Sequence, residues 1–123
     1  YDGVAFHRVI EGFMAQTGDV ECAVDGASCP PGTGGSDKPD LPAEFSDVPY
    51  DRGIVGMARA QNPNSANSQF FIMFNEGYFL NGQYTVVGRV IQGMEVVDAI
   101  KRGRGQSGSV AGEPDRMVSV SVQ

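Results

Sequence analysis

The chain has 123 residues, 41% apolar and 20% charged, with a formal net charge of −6 and an isoelectric point near 4.5. One domain is expected at that length. The acidic balance argues against nucleic acid as a partner, because neutralising phosphates takes a clustered basic surface, and the lack of an eighteen-residue apolar run argues against a membrane span.

Tyr1-Asp2-Gly3-Val4 reads as a turn entering a strand, with neither Met nor leader, so an N-terminal portion is expected to be absent. Val4 to Ile10 has strand character; alternation would put Val4, Phe6, Arg8 and Ile10 on one face and Ala5, His7 and Val9 on the other. Gly12 to Gln16 continues as an extended apolar segment that ends at Gly18-Asp19. Val20 to Pro42 is a long Gly/Pro-rich stretch, of the kind that is functional or mobile inside a compact domain. Its Gly32-Thr33-Gly34-Gly35 run lacks the Lys-Ser/Thr of a phosphate loop, so a glycine-lined groove or tight turn is the better account. Cys22 and Cys29 lie in this stretch with six residues between them. A disulfide leads the readings, two free thiols follow, and a metal or redox role comes last, since one His and no second Cys pair cannot complete a zinc site.

Gly53 to Ala60 reads as a strand with glycines for close backbone approach, Gln61 to Ser68 as a polar loop, and Gln69 to Phe74 as a buried strand. Asn81-Gly82 signals a turn before strand-like Tyr84 to Ile91. Met94 to Arg102 has helical spacing with Gly103 as its stop, and Lys101, Arg102 and Arg104 suit its negative end. Arg104 to Pro114 is a Gly/Ser loop, and Met117 to Val122 alternates as an edge or closing strand would. The fold class is therefore mainly β: an antiparallel barrel with helical decoration.

Few chemistries are open to such a chain. His7, the only histidine, sits mid-strand and faces away from Arg8, so a hydrogen-bonded structural role is expected. The acids form no calcium-loop pattern, and no nucleotide-binding loop is present; no metal and no cofactor are expected. What remains is Arg8 beside Phe6, then Phe13, Met14 and Gln16, then Gln69, Phe71, Phe79, Leu80 and Tyr84. The aromatics alone would be core residues. An Arg and two Gln among them look like specific polar donors in an apolar pocket.

Several blocks carry a family resemblance: Phe6-His7-Arg8-Val9-Ile10, Gly12-Phe13-Met14-Ala15-Gln16-Thr17-Gly18-Asp19, Gly32-Thr33-Gly34-Gly35, Gly56-Met57-Ala58-Arg59-Ala60, Asn67-Ser68-Gln69-Phe70-Phe71-Ile72 and Phe79-Leu80-Asn81-Gly82. In this order and spacing, over essentially the whole chain, the sequence resembles the cyclophilin family of peptidyl-prolyl isomerases, bacterial members in particular. The resemblance implies an eight-stranded closed antiparallel barrel, of which the first strands and first helix are not in this sequence; one helix remains. A chain so shortened is expected to need its missing part supplied.

By the same resemblance Arg8 is the catalytic arginine. Phe13, Met14, Phe71, Phe79 and Leu80 would receive the proline ring, and Gln16 and Gln69 would orient the peptide. The backbone of Ala58, Arg59 and Ala60 would pair with it. Tyr84 stands where many members have His, Phe79 where well-known eukaryotic members have Trp, and Arg59 where they have Asn. The implied partners are proline-containing peptides and unfolded protein clients, acted on by a monomer. Cyclosporin would bind with weakened affinity, since Phe lacks the Trp donor. The competing readings are a proline-peptide binding or chaperone-like module with little catalysis, and a small-ligand barrel that leaves Arg8, Gln16 and Gln69 unexplained. Bacterial relatives occur in periplasm and cytoplasm, and the cysteine pair favours the periplasm.

Overall fold

The computed structural model describes all 123 residues. Five short strands carry the fold: β1 (Arg8–Ile10), β2 (Met14–Thr17), β3 (Ile54–Met57), β4 (Phe70–Met73) and β5 (Val86–Arg89). They form one antiparallel sheet in the order β1-β2-β4-β3-β5. A 3-10 turn, Tyr78–Leu80, lies between β4 and β5, and the helix α1 (Met94–Asp98) follows β5.

Strand alternation sorts the apolar side chains to two faces. Met14, Ile54, Phe71 and Met73 join Tyr50 and Leu80 in one buried cluster. Val9 and Ala15 join Phe6, Phe74 and Ile100 in another. The interior strand β2 is buried along most of its length, as a strand covered on both faces must be. The registers place Arg8 opposite Gln16, Gln16 opposite Phe71, and Phe71 opposite Gly56, which forms a row across four strands.

The sheet is open, as expected of a cyclophilin-like barrel that lacks the family's first strands. β5 pairs only with β3, and its Val87, Gly88 and Arg89 are exposed. At the other side the 103–110 segment covers the free edge of β1: Val9 N–H donates to Gly108 O, and Gly103 N–H donates to Val9 O. An open sheet edge presents unpaired backbone groups, and a covering loop satisfies them.

Other expectations are corrected at element level. The first strand is three residues long rather than Val4 to Ile10, because Ala5 forms a lone bridge to Arg116 and Phe6 N–H donates to Asp115 O. Phe6 and Val9 consequently share one core cluster instead of facing apart. The helix stops at Asp98, four residues before Arg102: Ala99 N–H turns back to Val96 O and Val97 O, and Ile100 drops into the core. Arg102 Nη1 then donates to the Asp98 and Ile100 carbonyls, the placement favoured at a helix C-terminus. Gly103 is not the helix stop; a Cβ there would collide with the Gly108 carbonyl that packs against it. Met117 to Val122 forms no strand, and Val118 and Val122 are exposed. Cys22 and Cys29 are joined by a disulfide. No helix is long and apolar enough to cross a membrane.

Candidate active site

The Arg8–Gln16–Phe71–Gly56 row is the floor of the site. A Cβ on Gly56 would stand 2.6 Å from Phe71 Cζ and closer still to the Tyr50 hydroxyl. Glycine there is what lets the Phe71 ring lie flat against the sheet, stacked with Tyr50 at 5.7 Å between centroids. The Tyr50 hydroxyl is buried and donates to Tyr84 O at 2.8 Å; burial, and secondarily Tyr84, push it well above the usual tyrosine pKa. That bond fixes the backbone from which the Tyr84 ring meets Phe71 edge-on at 6.0 Å.

An apolar pocket of about 260 Å³ opens over this floor. Met14, Phe71 and Leu80 form its buried base. Phe13 and Phe79 form a lip with ring centroids 5.5 Å apart, and Phe79 is 72% exposed. Tyr84, Ala58 and Arg59 form the opposite wall, and Arg8 and Gln16 stand at the polar side. The Arg59 guanidinium lies 4.4 Å over the Tyr84 ring and donates to the carbonyls of Ala60, Gln61 and Gln83.

Arg8 is held at two points. Nε donates to Ser107 O at 3.1 Å, and Nη1 donates to Gln16 Oε1 at 3.0 Å. Nη2 makes no hydrogen bond to the protein, so one face of the fork points outward with donors unused. A guanidinium stays charged at any working pH, and two anchors remove most of its rotational freedom.

A polar groove of about 490 Å³ continues from the pocket, sharing Gln16, Ala58 and Arg59 with it. Gln69 and Ala60 line it, together with Gly32 to Ser36, Ser65 and Asn67. Ala58 N–H is spent on Gln69 O, and Ala60 N–H on Ser65 Oγ. The ten other residues singled out from the sequence line the pocket, and Ala60 and Gln69 line the groove, so all twelve meet on one continuous surface.

Sequence reasoning missed the groups that hold this surface in place. Ser107 acts through its carbonyl, which leaves no side-chain pattern to read. A close approach at the glycines of Gly53 to Ala60 was expected, but not that Phe71 and Tyr50 are what approach Gly56. Asp19, fully buried, accepts backbone N–H bonds from Glu21, Cys22, Gly32 and Gly34. Burial alone would raise its pKa, but these four bonds outweigh it and hold the carboxyl below the usual value. An Asp directly before a Gly/Pro-rich loop was the available signal. His7 is half-buried with Nδ1 left without a hydrogen-bond partner; burial lowers its pKa against the Asp19 charge and against hydrogen bonding to Ala5 and Gln69.

Comparison with known proteins gives this surface a context. The chain is 59% identical to a "Probable peptidyl-prolyl cis-trans isomerase" of Brucella abortus, over all of this chain and 64% of that protein. It is 40% identical to "Peptidyl-prolyl cis-trans isomerase CYP18-1" of Arabidopsis thaliana, over 83% of this chain and 61% of that one. The crystal structure of cyclophilin AquaCyp293 from Hirschia baltica superposes with a TM-score of 0.76 at 27% identity, covering 97% of this chain and 59% of its own. The chain thus spans a little under two thirds of the length of these relatives. The family model described as "Cyclophilin type peptidyl-prolyl cis-trans isomerase/CLD" matches residues 1–122, and this chain belongs to that family.

Proposed function

We propose that this chain binds proline-containing peptides and catalyses cis–trans rotation about the bond before the proline, with Arg8 as the group that acts on that bond. The observation that carries the reading is the Arg8 fork, anchored on Ser107 O and Gln16 Oε1 with Nη2 free at the edge of an apolar pocket.

Rotation about an X–Pro bond breaks no bond; the barrier of about 20 kcal/mol comes from amide resonance. In the twisted state the proline nitrogen becomes pyramidal and regains its lone pair. A guanidinium hydrogen bond to that nitrogen stabilises the twisted amide more than the planar one, which is differential binding of the transition state. The pocket base of Met14, Phe71 and Leu80 holds the apolar ring while the acyl side turns. With the Ala58 and Ala60 N–H groups already spent, Ala58 C=O and Arg59 N–H are left to pair with the peptide backbone.

Arg8→Ala is expected to lower kcat/KM by about a hundredfold, the scale for removing one preorganised donor. The dissociation constant of the same peptide should change only a few-fold. A protease-coupled isomerisation assay, with binding measured on the same sample, checks this. Near-normal turnover in the variant would sink the assignment of Arg8. Peptide binding by the unaltered chain without any turnover would instead establish a binding module. Folding clients containing prolines are the natural substrate class, a monomer suffices for one-site chemistry, and cyclosporin is expected to bind weakly because Phe79 offers no ring N–H.

A further inference from the structure

Asp19 is the most enclosed charged group in the molecule, and rotation about a prolyl bond makes no use of it. Its position explains how Arg8 is held. Oδ1 accepts from Glu21 N–H at 3.1 Å and Cys22 N–H at 2.9 Å. Oδ2 accepts from Gly32 N–H at 2.7 Å and Gly34 N–H at 3.0 Å. One carboxylate therefore ties the Glu21–Cys22 segment to the Gly32–Gly34 segment, on either side of the loop that Cys22 and Cys29 close by their disulfide.

The Gly32–Gly34 segment also lines the site. The carbonyls of Gly32 and Gly34 both accept from Gln69 Nε2, at 3.1 and 3.0 Å. With both protons of that amide taken, Gln69 can present only Oε1 to Gln16, whose Nε2 donates to it at 2.9 Å. Gln16 must then turn Oε1 toward Arg8, where Nη1 donates to it at 3.0 Å. Side-chain amides are otherwise free to flip, since oxygen and nitrogen are sterically alike. Here two loop carbonyls set the polarity of the whole relay. If the loop moved away, either amide could flip and show Arg8 an NH2 group in place of an acceptor.

We propose that Asp19 is a positioning residue for Arg8, acting through the Gly32 and Gly34 carbonyls, Gln69 and Gln16. The proposal rests on the isomerase reading above for its kinetic consequence, but its structural content stands without it. Hydrogen bonds to a charged acceptor are about twice as strong as neutral ones, so a carboxylate suits a clamp that must hold two segments at once. Asn in its place keeps one acceptor oxygen and opposes its NH2 group to two backbone N–H donors.

The test is Asp19→Asn, Gln69→Ala and the double variant, assayed for isomerisation and followed by side-chain NMR of Gln69 Nε2 and Arg8 Nε. Asp19→Asn is expected to lower kcat by about tenfold or more, as small misplacements of a catalytic group do, with KM changed less than about twofold. It should have little further effect once Gln69 is Ala, because residues in one network are not additive. The Gln69 amide and Arg8 Nε signals should shift together. Should Asp19→Asn fold poorly, Gly34→Ala probes the same link: its Cβ would stand 2.7 Å from Asp19 Oδ1 and from Cys22 Sγ, wedging the loop away with the charge intact. It should produce the same kcat loss and the same paired shifts. Full additivity with Gln69→Ala, or loop signals that shift while Arg8 Nε does not, would overturn the proposal. If the unaltered chain shows no turnover, the isomerase reading fails on its own, and the paired NMR shifts alone decide the role of Asp19.

Discussion

The apolar pocket and the polar groove lie side by side and share Gln16, Ala58 and Arg59, yet they are built by different means. Strand side chains make the pocket: Met14, Phe71 and Arg8 sit where register and alternation put them, on a floor made possible by Gly56. Loop backbone makes much of the groove, gathered by the Asp19 carboxylate and the Cys22–Cys29 bond rather than by a core. A packed floor and a pinned loop should therefore fail differently. The pocket should respond to changes of volume, and the groove to changes of charge and cross-linking.

The largest effect separating them is expected from Gly56→Val. Any Cβ at this position meets Tyr50 and Phe71, and the added methyls cannot relax into space that does not exist. Overpacking of this kind should cost about 3 kcal/mol, read as a lower midpoint in urea unfolding, and should abolish proline binding by displacing Phe71. An unchanged midpoint with intact binding would show that the floor is not close-packed.

Cutting the disulfide should act on the other region. Closing so short a loop restricts the unfolded chain by about 2 kcal/mol in the entropy model, so the Cys22→Ser/Cys29→Ser variant should melt several degrees lower. A short ligand confined to the pocket, such as an Ala-Pro dipeptide, should bind as before, whereas a longer peptide that reaches the groove should bind less well. Equal losses for both would merge the two regions into one unit. Acid should also act through this loop. The lowered pKa of Asp19 contributes stability that is fully present above the ordinary carboxylate value of 3.8 and lost as pH falls through its lower folded value. Thermal stability should thus lose the Asp19 contribution only below about pH 4.

The two regions also differ in how far the sequence reveals them. Pocket residues have side chains of distinctive type at strand spacing, so Arg8, Phe13, Met14, Gln16 and Phe71 could be picked out together, and the disulfide was foreseen as one of three states of the cysteines. The groove could be foreseen only as glycine-rich, because its acceptors are carbonyls and its organiser, Asp19, is an ordinary turn residue until the four N–H groups converge on it. Strand and helix ends were read too long for a related reason. Phe6 and Ile100 continue the apolar period, but a tertiary bond to Asp115 draws the Phe6 backbone away, and a tight i→i−3 turn from Ile100 N–H to Val97 O ends the helix. Alternation along Val118, Val120 and Val122 likewise predicts a strand, but pairing stops at Met117, which bonds to Gly3 and Val4, and beyond it Val120 N–H turns to the Asp2 carboxylate instead of a neighbouring strand.

Arg59 joins the regions, and Arg59→Lys should affect both slightly. Lys keeps the charge but cannot lie flat over Tyr84 while reaching three carbonyls, because its ammonium is a point donor rather than a planar fork. A partly exposed stack of this kind is worth about 1 kcal/mol, so a modest fall in stability is expected, together with weaker peptide binding. Binding and melting temperature that both match the unaltered chain would reduce Arg59 to a backbone contact.

Phe79→Ala should have the smallest effect on folding and yet a visible one on binding. The ring is 72% exposed and touches the rest of the pocket through Phe13. Truncating it removes little surface that folding buries, so stability should change by less than about 0.5 kcal/mol, as for surface positions in general. A proline ring seated in the pocket would bury the same face of Phe79, and that burial is lost with the side chain. Peptide affinity should fall by about fivefold, or roughly 1 kcal/mol, with the melting temperature unmoved. A lip that only folding uses would show the reverse pattern, a lower melting temperature at constant affinity, and titration of one peptide against both chains at a single temperature distinguishes the two.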